Sequence, residues 1–410
     1  MEYSEVISLK ENKIPQLTGK IADDIRSGYT GGSCEVYIPQ SKPDKTMKCY
    51  DVNALYPSQM LEQLMPVGVP TYFEGDIRKV EPEAFGFFFC KIIAPDDILH
   101  PILQTRVNKT TLSPIGVWED MIFSAEMDNA RKFGYEFEIL WGYTFEKANI
   151  FKAYVEFMYL LRLTYDKSNP MNLIAKLLMN SLYGRFGMDD NFPKIIVIHK
   201  DFLPDFENKY LDLIIEKIEL EEWILIRYNI GDESSENHNV SIGVAAAITA
   251  YSRIHMTQFK NNPKINLYYT DTDSIYTDSI LDESFIDNKI LGKLKLENIC
   301  KKAIFLAPKL YCLETIDGEL IMKTRGLKHE VELLENEFER LLIKGEKVIK
   351  EQPKWFRNIS NGEIKIENLP FNIKATENKR ELIYDKNSKL IGTKAFKINN
   401  EKRIITIKKC

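Results

Sequence analysis

The 410-residue chain has only six cysteines (Cys34, Cys49, Cys90, Cys300, Cys312 and Cys410), and no two form a CxxC pair. No histidine accompanies them at ligand spacing. A zinc site or a disulfide framework is therefore not expected, and a reducing compartment fits. No apolar run reaches transmembrane length, so no membrane partner is expected. The opening MEYSEVISLKENK is acidic and polar, unlike a signal peptide or an Arg-rich transit peptide. The net charge of −5 offers no global basic field of the kind that announces a nucleic-acid binder. Internal repeats and low-complexity linkers are also missing.

What is present is an ordinary folding composition, 44% hydrophobic and 28% charged. The length exceeds one compact core and implies two or three lobes. Charge is unevenly spread. From Val331 onward there are 18 Lys and Arg against 12 Asp and Glu, leaving 37 against 48 in the rest. A basic tail beside an acidic body can grip a polyanion locally, or be a solvated surface. Strand-like runs fall at Cys34–Ile38, Met47–Val52, Phe85–Ile93, Ile195–Ile198, Trp223–Tyr228, Ile265–Thr270 and Ser274–Thr277. Helical patterns cover Glu119–Phe133, Ile150–Tyr165, Pro170–Arg185, Val240–Phe259 and Val331–Lys344. Their irregular alternation predicts an α+β fold. Residues 188–239 read as a polar, strand-rich insertion ending in the loop-like GDESSENHN.

Three stretches carry candidate chemistry. In KCYDVNALYPSQM (residues 48–60), Asp51 ends a short strand and Pro57 opens a helix. An acid at that junction either projects into a cleft or caps the helix. In KLLMNSLYGRFG (residues 176–187), helical spacing puts Lys176, Asn180 and Tyr183 within about 60° of one another. Ile174, Leu178 and Leu182 then form the opposite, core-facing stripe. Gly184 bares backbone beside the polar face, where a flat ligand could approach. In YYTDTDSIYTD (residues 268–278), Asp271–Ser274 marks a hairpin turn. Such polar residues are ordinary turn chemistry, or they are carboxylates for a hard divalent cation once a third acid joins from another strand.

Taken in order, these stretches resemble the polymerase domain of family B DNA polymerases. DVNALYPS is similar to motif A (DxxSLYPS), KLLMNSLYG to motif B (KxxxNSxYG) and YTDTDS to motif C (YxDTDS). YTGG at Tyr29–Gly32 matches the YxGG element, and KLY at Lys309–Tyr311 the KxY element. One departure is Ala54, where motif A usually has Ser. FLAPKLY, GKLKLE, MKTRGLK and TENKRELIYD resemble the protein-primed subgroup of mitochondrial linear plasmids, and the gaps between motifs leave room for its two insertions.

The resemblance implies a right-hand fold with palm, fingers and thumb. Its expected layout is palm (1–66), insertion (67–149), fingers (150–187), second insertion (188–239), palm (240–330) and thumb (331–410). The 28 residues before Tyr29 are too few for a proofreading exonuclease domain, which is therefore not expected in this chain. The implied chemistry is phosphoryl transfer with two Mg²⁺ ions, for which Mn²⁺ can substitute. Asp51, Asp273 and the Val52 carbonyl would bind metal, with Asp271 completing an acidic cluster. Lys176 would meet the incoming triphosphate and Asn180 support the nucleotide pocket. Tyr183 and Tyr56 would frame the nascent base pair, with Tyr56 a gate against a ribose 2′-OH. Tyr29, Gly31, Gly32 and Gly184 would lie along DNA, and Lys309 and Tyr311 would steady the primer end. Lys374, Lys379, Arg380, Lys386 and Lys389 are candidate phosphate contacts of the thumb. Arg162 is either a phosphate contact or a plain surface residue. Trp355 is expected in the core, and Asp278 is an ordinary strand-end acid. The implied partners are template and primer DNA, dNTPs and a priming terminal protein, in a mitochondrion. A DNA-binding remnant without catalysis is the rival reading. A reverse transcriptase or RNA polymerase fits less well, because the hairpin is DTD rather than YxDD.

Overall fold

The computed structural model describes residues 14–188, 193–229, 240–328 and 330–399. The GDESSENHN loop lies outside them. Two sheets dominate, one antiparallel throughout and one antiparallel except at an edge strand. The larger has seven strands, ordered Cys34–Val36, Leu267–Asp271, Ser274–Thr277, Met47–Val52, Leu294–Ala307, Leu310–Thr315 and Leu320–Thr324. This order places the strand of Asp51 directly beside the hairpin of Asp271 and Asp273, with Ser274 opposite Asp51. The second sheet has five strands: Lys397–Ile398, Ile115–Phe123, Gly86–Ala94, Glu136–Ala148 and Met65–Glu74.

The helix Ile242–Lys260 joins the two. It is small and apolar nearly all round, as a fully enclosed helix must be. Val244, Ile248 and Tyr251 pack with Phe87 and Phe123 of the five-stranded sheet. Met256 and Phe259, further along, pack with Tyr50, Val52 and Ile275 of the seven-stranded sheet. Beside it, helices Lys152–Thr164 and Pro170–Phe186 form an antiparallel pair. Asn169 caps the second of these by accepting from the Met171 N–H at 2.9 Å, and Pro170 fills its first turn.

Several elements differ from expectation. Glu119–Phe123 is the end of a strand, and only Ser124–Arg131 is helical. The buried Asp120, which accepts from the Thr105 hydroxyl at 2.6 Å, interrupts the apolar alternation that would have signalled a strand. The helix in 331–344 is limited to Glu335–Arg340. On Pro170–Phe186 the buried stripe is Ala175, Met179 and Phe186, while Ile174 and Leu178 are 44% and 40% exposed. The described residues leave these side chains only partly covered. Residues 188–239 contain a three-stranded sheet, as read, but also the helix Leu203–Tyr210. Trp355 is 57% exposed on the long hairpin Val348–Asn358/Glu363–Ile373, not in the core. A two-stranded ribbon has no second layer to cover it.

A buried ion cluster ties the C-terminal region to this frame. Glu35, only 2% exposed, lies 3.5 Å from Arg380 and 3.9 Å from Lys260, and its carboxylate accepts from the Ser113 hydroxyl. Burial opposes the ionised form, but Lys260, Arg380 and Ser113 outweigh it and hold the carboxyl at about 2. Its stabilising contribution is complete above the unfolded value of 4.5 and is lost as pH falls toward 2. Glu35→Gln leaves two buried cations without their anion, a loss of about 3 kcal/mol near neutral pH. In urea unfolding, the gap to wild type should shrink as pH is lowered below 4.5.

Candidate active site

Asp51 and Asp273 are brought together by strand pairing. The Val52 N–H donates to the Asp273 carbonyl at 2.8 Å, which fastens the hairpin tip to the strand of Asp51. Desolvation raises the Asp51 carboxyl to about 7, and the charge of Asp273 adds to the rise. Asp273 is raised as well, first by burial and then by Asp271. Two half-buried carboxylates that resist ionising together form a site for positive charge, and oxygen donors of this kind fit a hard divalent cation.

Asp271, whose charge also acts on Asp273, is paired with a cation. Its carboxylate takes two hydrogen bonds from the Lys309 ammonium, at 2.9 and 3.0 Å, and one from the Tyr269 hydroxyl at 3.3 Å. Among the described residues no group of three His, Cys, Asp or Glu side chains is gathered as a metal site. Asp51, Asp273 and backbone oxygen remain as the oxygen donors not held by a cation at this turn. Asp278 is an ordinary acid, accepting from Tyr268 and Asn266.

The turn that carries Asp273 is unusual. Thr272 has φ 55°, a left-handed conformation that a β-branched residue resists. Its N–H donates to the Ser33 carbonyl at 2.8 Å. A Cβ on Gly32 would sit 2.6 Å from the Thr272 methyl, so only glycine lets the YTGG loop lie this close. Gly31 and Gly184 face open space instead, leaving bare backbone accessible. Ala54, in the motif-A turn, is also left-handed at φ 46°. Asn53 anchors that turn through the carbonyls of Asp287 and Ile290.

Tyr56 and Tyr183 meet above this centre, their rings stacked at 4.1 Å. Both phenols are raised above their ordinary value, first by burial, and Asp273 is near enough to contribute to each. Asn180 has a buried side-chain oxygen with no partner among the described residues, an acceptor left open beside the tyrosines. Lys176, four residues earlier on the helix, is exposed. Tyr29 is also near Tyr183, and its carbonyl accepts from Arg106 at 2.6 Å.

A family model described as DNA polymerase type B, organellar and viral, matches residues 1–266. The chain belongs to this family. A probable DNA polymerase of Ascobolus immersus is 36% identical over 414 residues, covering 96% of this chain and 33% of that protein. A probable DNA polymerase of Neurospora intermedia is 35% identical over 379 residues, covering 88% of this chain and 38% of that one. The chain thus spans about a third of the length of these curated relatives. The structure of phi29 DNA polymerase complexed with primer-template DNA matches with a TM-score of 0.68 at 21% identity, over 89% of this chain and 64% of that one. The fold of this type B polymerase chain is accordingly the α+β right-hand fold.

Two expected DNA contacts are corrected. Arg380 is 7% exposed, bonded to the Thr393 hydroxyl and lying over the Tyr37 ring, so it cannot reach a phosphate. Tyr311 is buried among Tyr269, Tyr276 and Phe305, with its hydroxyl 3.2 Å from that of Tyr276. It supports the hairpin from below. Lys374 and Lys386 are exposed, while Lys379 and Lys389 are half-buried.

Sequence reasoning missed Arg253. Its guanidinium grips both oxygens of Glu126 at 2.6 and 2.7 Å and donates to the carbonyls of Thr30 and Gly31 at 2.6 and 3.2 Å. It therefore fixes the YTGG loop. The available signal was that Arg253 is the only Lys, Arg, Asp or Glu between Val240 and Gln258. A lone charge in an apolar helix needs a buried partner.

Because the raised Asp51 carboxyl must ionise at a cost, Asp51→Asn should stabilise the metal-free protein at pH 7.5, by about 1–2 kcal/mol after solvent screening. The gain should shrink as pH falls from 7 toward 3.8 and vanish below that, where Asp51 is protonated in folded and unfolded chains alike. Added Mg²⁺ should raise the melting temperature of wild type and leave Asp51→Asn nearly unmoved in thermal scans.

Proposed function

We propose that this chain is a DNA-directed DNA polymerase of the protein-primed type, extending a primer 3′-OH with dNTPs. The observation that carries this reading is Asp51 on its strand beside Asp273 in the adjoining hairpin turn, with the stacked Tyr56 and Tyr183 next to them. Asp51, Asp273 and the Val52 carbonyl would hold two Mg²⁺ ions, with Mn²⁺ able to substitute. When bound, such ions sharpen the attacking hydroxyl and stabilise the leaving pyrophosphate. The protein's part is positioning and charge.

In this reading the stacked pair Tyr56–Tyr183 occupies the floor of the nucleotide site, and the base pair settles against these rings. Tyr56 closes the space that a ribose 2′-OH would need. Lys176 meets the triphosphate, and Asn180 offers its open acceptor within the pocket. Lys309, paired with Asp271, presents its ammonium beside the primer end. Gly31 and Gly32 let the template backbone pass close to the YTGG loop. Lys374 and Lys386 touch phosphates without reading sequence, which implies strong salt dependence.

The layout follows: palm (1–66 and 240–330), fingers (150–187), insertions (67–149 and 188–239) and thumb (331–410). The C-terminal strand Lys397–Ile398 pairs in parallel with Ile115–Gly116, so the thumb segment also completes the sheet of the first insertion. A terminal protein as primer and an organellar site of action, on linear plasmid-like DNA, complete the proposal.

Primer extension tests it. Wild type with Mg²⁺, dNTPs and a primed template should extend, and Asp273→Ala should lose at least about 10³-fold, as expected when charge neutralisation at the reacting centre is removed. Equal extension by both would overturn the reading. Tyr56→Val should raise ribonucleotide incorporation with little change in dNTP use. Unchanged discrimination would remove Tyr56 as the gate.

A further inference from the structure

The ion cluster at Glu35 lies one strand from the catalytic hairpin, and it is built from four distant parts of the chain. Glu35 sits opposite Thr270, and its neighbour Cys34 opposite Asp271. Ser113 reaches the carboxylate from the first insertion, Lys260 from the end of the long helix and Arg380 from the C-terminal region. Lys260 does more than neutralise charge. Its ammonium, 4% exposed, also donates to the Ser33 hydroxyl at 3.0 Å. Ser33 is the residue whose carbonyl holds the N–H of Thr272. A cavity of about 10 Å³, lined by Ser33, Arg253, Lys260, Thr270 and Thr272, separates the helix from the turn. It has room for about one water.

We propose that Lys260 is a positioning residue of the catalytic hairpin: clamped by Glu35, it fixes Ser33, and Ser33 keeps Thr272 in the left-handed turn that aims Asp273 at Asp51. Arg380 extends the same clamp to the C-terminal region. The Thr393 hydroxyl accepts from Arg380 at 2.8 Å and donates to the Val36 carbonyl at 2.6 Å. The part of the chain proposed to grip DNA is thereby anchored on the strand beside the turn. Thr272 would drift toward ordinary φ values without this anchor, because the left-handed conformation is costly for a β-branched residue.

The inference rests on the polymerase reading, and wild-type extension is its precondition. The test uses Ser33→Ala, which removes the acceptor of the Lys260 hydrogen bond while leaving every charge in place, and Lys260→Met, which removes the ammonium. Primer extension is measured across Mg²⁺ concentrations, with DNA affinity measured separately. Lys260→Met should lower kcat by about tenfold, as a small misplacement of a reacting group does. Both variants should raise the Mg²⁺ half-saturation several-fold with DNA affinity unchanged. Adding Thr272→Gly, which accepts φ 55° without strain, should restore part of the loss. A merely structural lysine would lower thermal stability without moving the Mg²⁺ dependence, and glycine would not rescue it. Wild-type kcat and Mg²⁺ dependence in folded Ser33→Ala and Lys260→Met would overturn the inference. Failure of wild type itself to extend would overturn the polymerase reading instead.

Discussion

Thr272 holds a backbone conformation that its own side chain disfavours, and the placement of Asp273 follows from it. The left-handed turn lets Asp273 follow Asp271 by two residues while the two carboxylates meet different partners. Asp271 turns to Lys309, and Asp273 is left beside Asp51. Gly32 presses on the turn, Ser33 accepts its N–H, and Arg253 fixes the loop from which both extend. A strained turn persists only where its surroundings over-determine it, and here a loop, a buried helix and a neighbouring strand all do so.

The separation of the two hairpin acids bears on mechanism. Clustering all three carboxylates would place much negative charge in a half-buried space. The Lys309 ammonium offsets the charge of Asp271, which still adds to the rise of Asp273. What remains is a pair whose mutual repulsion and desolvation keep it poised for a cation. The same frame carries the stacked Tyr56 and Tyr183 and the open acceptor of Asn180, so the proposed nucleotide and metal positions share one support.

Much of this was legible in the sequence. The strands Met47–Val52, Trp223–Tyr228 and Ser274–Thr277 fall where alternation placed them, and the Asn169-Pro170 start signal marks its helix. The motif spacing singled out Asp51, Asp273, Tyr56 and Tyr183, and the fold brings these four residues to one place. Local pattern could not reveal partnerships between distant residues. Glu35, Lys260 and Arg380 look like surface charges one at a time, and only the fold makes them a buried set. Trp355 shows the converse: an aromatic looks like core until the ribbon that carries it proves to have no covering layer. Asp120 hid a strand for a related reason, since its hydrogen bond to Thr105 makes a buried polar residue acceptable where the sequence pattern alone argues against it.

In the proposed chemistry Asp51 and Asp273, without Asp271, hold the divalent ions. Anomalous diffraction from crystals carrying primed DNA, a dNTP and Mn²⁺ tests it most directly. The account predicts two peaks about 3.5–4 Å apart, both in contact with Asp51 and Asp273, with the Asp271–Lys309 pair intact. Peaks coordinated by Asp271 with Lys309 displaced, or no peak between Asp51 and Asp273, would contradict it.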